Sequence, residues 1–329
     1  MKTPFFWYPT PHDRLAAFIG FLLAPLSCFF RAATWVRRLF CYAYHSHRPV
    51  VCVGNVVAGG AGKTPVALAL SRILKTRKAR PVFVTRGYGG TGALTCVDLL
   101  RHSVQDVGDE ALLLAAEAPT WVCRNRVKAL REAEMNGSVV IMDDGLQNPR
   151  VAPTASVLVV DGEVGLGNGR IIPAGPLREP FTEALKRVCA MIIVGRFDTQ
   201  NLAAKATVPV FRAHLEPDIP QGFIKQGRFV AFSGIARPEK FFATARALGL
   251  DLVKTVPFPD HYVFSEADRD DLRLEAEVNG AYLLTTEKDA VRLPQAFRES
   301  VIVLPVKLVF DDAGAERALA DLLLQDVSL

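Results

Sequence analysis

The chain has 329 residues, half of them apolar and 22% charged; this excludes disordered, collagenous and coiled-coil classes and suits two domains of ordinary size. The net charge is +5, but residues 1–50 hold six basic residues (Lys2, Arg14, Arg31, Arg37, Arg38, Arg48) against Asp13 alone, so the remaining 279 are neutral overall. A nucleic-acid binder spreads its basic residues over the folded body. Here the excess shares a segment with 12 of the 29 aromatic residues, which suits a membrane surface and excludes nucleic acid as a partner. Six cysteines (28, 41, 52, 96, 123, 189) form no CxxC pair, so neither a zinc site nor a disulfide framework is expected.

Sixteen uncharged residues separate Arg14 from Arg31. As a helix they reach ~24 Å, short of the ~30 Å of a bilayer core, and Pro25 interrupts them. Apolar residues recur with helical spacing from Leu15 to Ala33, flanked by Arg14, Arg31, Arg37 and Arg38 and by Trp7, Tyr8 and Trp35. The pattern predicts an interfacial anchor over residues 1–40. A core helix and a tilted span are the competing readings; a signal peptide is disfavoured, since no A-x-A site follows the apolar run.

From Pro49 the sequence runs from an apolar strand through a glycine-rich turn, VVAGGAGKT, into an amphipathic helix near 64–76. That is a phosphate-binding loop in its expected context. Val57, Ala58, Gly59, Gly60, Ala61, Gly62, Lys63 and Thr64 form the nucleotide-binding set: backbone amides turn to phosphate oxygens, Lys63 supplies charge, and Thr64 ligates Mg²⁺. Val57 stands where the strict pattern has glycine, making the loop a variant. Gly87, Gly89 and Gly92 also spell GxGxxG, but β-type residues follow where a dinucleotide motif opens a helix. The run SVVIMDDG delivers Asp143 and Asp144 to the C-terminal end of a strand, Asp143 to hold metal directly or through water, Asp144 to position a nucleophile.

Strand-like runs at 50–54, 81–85, 120–123, 138–142, 156–160 and 190–194 alternate with helical runs at 64–76, 109–118, 127–136 and 178–188. This predicts an α/β doubly wound parallel sheet of P-loop type over 41–222. After a polar, Pro-containing stretch near 214–228 the alternation restarts, predicting a smaller α/β domain over 223–329. Arg86, Arg126 and Arg178 are candidates for clamping phosphate. Glu287, Lys288 and Asp289 are read as a helix start.

The blocks VGNVVAGGAGKTP, TRGYGG, VGDEALLLA, MDDGLQN, IIPAGPLREP, FSGIARPEKF, FPDHYVF and TTEKDAVRL, in this order, closely resemble the tetraacyldisaccharide 4'-kinase family of lipid A biosynthesis. The resemblance implies ATP- and Mg²⁺-dependent phosphorylation of the 4'-hydroxyl of a lipid A disaccharide 1-phosphate. It also implies peripheral or monotopic placement at the cytoplasmic face of the bacterial inner membrane, with no obligate protein partner. By the same resemblance Asp109 is the catalytic carboxylate and His261 its partner, meeting when the domains close on substrate. Lys63, Asp144 and Arg178 complete the catalytic set, and Glu110 joins Thr64 and Asp143 as a metal ligand. The family's DDGFQH is DDGLQN here, so no role carries to Leu146 or Asn148. A membrane-associated P-loop switch is the alternative; it leaves the DHY block unexplained, and the guanine-reading NKxD is absent.

Overall fold

The strand Val50–Gly54 is apolar throughout and fully buried, as a strand must be when helices cover both faces of a parallel sheet. The computed structural model describes residues 4–10, 13–224 and 226–325; Lys2 of the basic segment falls outside them. A nine-stranded sheet runs, in spatial order, Val306–Phe310, Val210–Pro217, Ala190–Val194, Ala155–Asp161, Val50–Gly54, Val139–Asp143, Pro81–Thr85, Thr120–Val122 and Thr95–Cys96. The two outermost strands pair antiparallel, and the pairings between them are parallel. The chain leaves Val50–Gly54 in one direction and later returns to build its other side, which makes this strand's C-terminal end the topological switch point where such sheets bind ligands.

Side chains alternate along the strands into two cores. Val51, Val53, Phe83, Ile141 and Val157 pack against Val66, Leu70 and Leu74 of the helix Lys63–Thr76. Val50, Cys52, Val82, Met142 and Leu158 face Ala129, Leu130 and Ala133 of Arg126–Asn136. The helix expected over 178–188 is shorter, Phe181–Leu185, because Leu177 is bridged to Val57 and Ile171 and Pro180 caps the turn that follows.

The smaller domain is a parallel four-stranded sheet in the order Asp251–Pro257, Arg228–Ser233, Ala281–Thr286, Val301–Leu304. Its carboxy-terminal limit differs from the expectation of 223–329. Pro305 lacks an N–H and splits the apolar run VIVLPVKLVF: Val301–Leu304 stays in the small sheet, while Val306–Phe310 returns to pair with Val210–Pro217 in the large one. The closing helix Ala315–Leu323 then buries Leu319, Ala320 and Leu323 in the core beneath Lys63–Thr76.

At the amino terminus two helices replace the single run expected: α1 (Arg14–Leu22), capped by Asp13, and α2 (Ala24–Leu39), bent 48° from it. Pro25 causes the break, since proline is accepted only in a helix's first turn. Small residues meet the body: Ala16, Gly20 and Ser27 are buried, and the Ser27 hydroxyl donates to the Ile171 carbonyl at 2.7 Å. Large apolar residues point away, with Phe18, Phe21 and Phe29 at 63%, 72% and 75% exposure, the reverse of a core helix. Among the described residues no single helix is long and apolar enough to cross a membrane; α1 and α2 pass that test only together, as a bent pair.

Leu319 is fully buried beneath the P-loop helix, so Leu319→Ala should cost about 2–5 kcal/mol of unfolding free energy. Urea denaturation checks this; a loss below about 1 kcal/mol would place the closing helix outside the larger core.

Candidate active site

The turn after Val50–Gly54 is shaped by backbone that L side chains resist: Gly59 has φ +130° and Gly62, which caps Lys63–Thr76, has φ +82°. A Cβ on Gly59 or Gly60 would meet no atom within 4 Å, so the loop faces open space. The first two residues of the expected binding set do other work. Val57 is buried and bridged to Leu177, and the Ala58 amide donates to the Pro176 carbonyl at 2.8 Å. They fasten the loop to the 176–178 segment, which accounts for valine at the glycine position. Gly59 to Thr64 remain as the candidate phosphate-binding stretch.

The parallel register sets Val53 beside Asp143, so the end of the DD strand lies against the start of the P-loop helix. The Thr64 hydroxyl donates to Asp143 Oδ2 at 3.3 Å, whereas the buried Oδ1 has no partner. Burial and the Glu110 charge push the Asp143 carboxyl well above the usual range, with Lys63 opposing. Asp144, with left-handed backbone (φ +50°), accepts from Arg178 at 3.0 Å and faces Lys63 Nζ at 3.7 Å. Burial pushes it up too, but Lys63 and Arg178 outweigh that and hold it below the ordinary value. Two adjacent carboxylates are thus separated by environment.

The residues fit a magnesium ion. Among the described residues no three His, Cys, Asp or Glu converge as a metal cage; magnesium needs only one or two carboxylates, since water and substrate phosphates supply the rest. Asp143 Oδ1 is an unspent buried acceptor beside the Thr64 hydroxyl, with Glu110 near enough to act on Asp143.

Asp109 does not cap its helix; it is the first residue of Asp109–Glu117, after Gly108 at φ +85°. A Cβ on Gly108 would sit 2.3 Å from the Tyr88 carbonyl, so the TRGYGG loop lies directly on this helix start. No helix follows that loop, in keeping with its rejection as a dinucleotide motif. Asp109 Oδ2 receives His261 Nδ1 at 2.9 Å and Arg292 Nε at 3.0 Å, both from the smaller domain. The pair expected to form on closure is therefore present together with a second tie, from Arg292. Arg292 is itself buried, donating also to the Gly234 carbonyl and Asp289. Lys288 Nζ lies 3.4 Å from His261 Nε2, and Tyr88 packs 5.8 Å from the His261 ring. Of the other arginines, Arg86 is exposed and Arg126 has a buried Nε without a partner.

Residues 19–324 match the family model described as tetraacyldisaccharide-1-P 4'-kinase. Proteins named tetraacyldisaccharide 4'-kinase are 46% identical in Parvibaculum lavamentivorans, covering 95% of each chain, and 47% identical in Rhodospirillum rubrum, covering 98% of each. The chain belongs to the tetraacyldisaccharide 4'-kinase family. The crystal structure of Aquifex aeolicus LpxK in complex with ATP, 24% identical, covers 93% of this chain and 99% of its own at a TM-score of 0.77, and shares the fold.

Within this 4'-kinase framework the sequence reading passed over Arg292, Gln147 and Glu179. Arg292 stands in the apolar context AVRL, the one available sign that its charge would be buried and paired.

The Asp109 carboxyl is held well below the usual range: burial opposes ionisation, but the His261 hydrogen bond, Arg292 and Lys288 outweigh it. In the unfolded chain a carboxyl titrates near ~3.9, so this contribution to stability is complete above that pH and drains away as pH falls toward the folded value. The stability gap between wild type and Asp109→Asn should therefore narrow from about pH 6 to about pH 3. Urea titrations at each pH measure it, and a widening gap would refute the assignment.

Proposed function

We propose that the P-loop, the Asp143–Asp144 turn and the Asp109–His261 pair together perform the family's reaction. Membership makes the chain an ATP-dependent kinase that phosphorylates the 4'-hydroxyl of tetraacyldisaccharide 1-phosphate in lipid A biosynthesis, using ATP with Mg²⁺. Phosphoryl transfer passes through a loose transition state, so the protein chiefly positions reactants and neutralises charge. The amides of Gly59 to Thr64 cradle the phosphates and Lys63 holds the β and γ oxygens. Thr64 and Asp143, with Glu110, would hold magnesium, which would supply positive charge to offset that of the phosphates. Asp109 accepts the proton of the attacking 4'-hydroxyl while His261 orients it. Asp144, itself held by Arg178, keeps Lys63 on line until nucleotide arrives. One observation carries this reading: Asp109, at the start of the helix whose next residue, Glu110, lies near enough for its charge to act on Asp143, meets His261 and Arg292 of the smaller domain, so a single helix start links the nucleotide site to that domain.

ATP consumption by the purified protein should require the detergent-solubilised glycolipid and yield its phosphorylated form. Lys63→Ala and Thr64→Ala should each lose roughly 100-fold or more in turnover. Acceptor-independent hydrolysis at full rate, or normal turnover in either variant, would overturn the assignment.

The outward aromatic face of α1 and α2, with Arg14, Arg31 and Arg37 on its flanks, supports peripheral or monotopic attachment at the cytoplasmic face of the inner membrane, where the acceptor's acyl chains stay in lipid. Deleting residues 1–39 should weaken sedimentation with anionic liposomes, and high salt should weaken that of the intact chain. Extraction only by detergent, insensitive to salt, would indicate a spanning segment instead.

A further inference from the structure

The last turn of α2 carries two adjacent arginines with different surroundings. Arg37 is exposed. Arg38 turns inward and donates to Glu179 Oε2 at 2.8 Å. Glu179 has 7% of its side chain exposed, and a carboxylate so buried is tolerated only with close partners. Besides Arg38 it has Arg187 on the same oxygen, and Gln147 Nε2 donates to its Oε1 at 3.0 Å. Gln147 is fixed a second time by donating to the Asn55 carbonyl at 2.7 Å, and its Oε1 accepts from Arg178 at 3.3 Å. The same Arg178 nitrogen reaches Asp144, the counter-ion of Lys63. An unbroken line of polar contacts thus runs from the anchor helix to the P-loop lysine.

We propose that Arg38 is a positioning residue for phosphoryl transfer: α2, seated on the body, holds Glu179, and Glu179 holds Gln147 and Arg178 on Asp144. The anchor is then part of the site's geometry as well as a tether. This rests on the catalytic reading of Arg178 and Asp144 above. Without Arg38, Glu179 keeps Arg187 and Gln147, so its charge stays compensated and the fold stands. It is freed to shift toward Arg187, and Gln147 and Arg178 shift with it. Displacements of this kind in groups that orient a reactive residue cost roughly 10- to 100-fold in rate.

The test uses the full chain in mixed detergent micelles with solubilised acceptor, so that recruitment to a membrane plays no part. Arg38→Met should lower kcat roughly 10- to 100-fold, leaving the KM for ATP and the thermal midpoint near wild type. Arg38→Lys, which still reaches Glu179, should restore most of it. In a Glu179→Gln background Arg38→Met should add little further loss, because residues in one network are non-additive. The inference fails if kcat is unchanged, if the loss lies only in the acceptor KM, or if it tracks a fall in thermal midpoint. Arg178→Met and Asp144→Asn separate the two readings. If both keep wild-type kcat, the catalytic reading falls; if both are inactive while Arg38→Met is fully active, only the role of Arg38 falls.

Discussion

The site depends on the parallel pairing of Val50–Gly54 with Val139–Asp143. Their register brings Val53 level with Asp143, so the glycine turn and the two aspartates leave the sheet at one edge, and the first turn of Lys63–Thr76 places the Thr64 hydroxyl on Asp143. A slip of one residue would exchange the faces of every side chain on the strand and turn Asp143 toward the opposite layer. The two apolar layers that bury this sheet specify the register, so the hydrophobic core dictates the geometry of the proposed site directly. Gly54 shows how tight the fit is: a Cβ there would lie 2.4 Å from that of Leu146, the residue after the DDG turn.

Around that edge the carboxylates are treated in distinct ways. Asp143 keeps one oxygen without a partner, an arrangement that costs free energy unless a cation completes it. Asp144 is compensated by Lys63 and Arg178 from its own domain. Asp109 is compensated by His261 and Arg292 from the other domain, and Asp161 and Glu163 meet Arg237 across the same boundary. Of these pairs Asp109–Arg292 is buried on both sides; such a pair adds little net stability against an apolar substitute, but leaving a buried charge uncompensated costs about 3–5 kcal/mol. These contacts therefore fix how the domains face each other more than they hold the fold together.

Much of this was legible in the sequence because periodicity and glycine placement act locally. The fully apolar run VVCVG followed by GGAGKT leaves a strand, turn and helix as the one consistent reading, and the strand and helix lie where expected. What escaped depends on partners remote in the chain. VIVLPVKLVF is one largely apolar run in the sequence, and only the pairing of Val306–Phe310 with Val210–Pro217 shows Pro305 to be a crossing from one sheet to the other. Val57 reads as a defect in a phosphate loop until Leu177 is beside it. Arg292 and Glu179 are ordinary charged residues in sequence; their burial comes from Asp109, 183 positions away, and from Arg38, 141 positions away.

The amino-terminal helices invert the usual amphipathic arrangement, and the inversion follows from two surfaces competing for one segment. Apolar area is worth about 25 cal/mol per Å² wherever it leaves water, so the large side chains of α1 and α2 should seek the thicker apolar medium. Small residues on the opposite stripe allow close approach of helix backbone to the 170–174 loop, where Ser27 binds Ile171 and Ala174. On the interfacial reading proposed above, the bilayer takes the aromatic face and the protein the small one. The acyl chains of the acceptor remain in lipid while its hydroxyl must reach Asp109, so a flexible tether would leave that distance to chance. On the same reading, a helix fixed to the body by short hydrogen bonds and by Arg38 would set the height of the P-loop above the membrane and the direction from which the sugar enters.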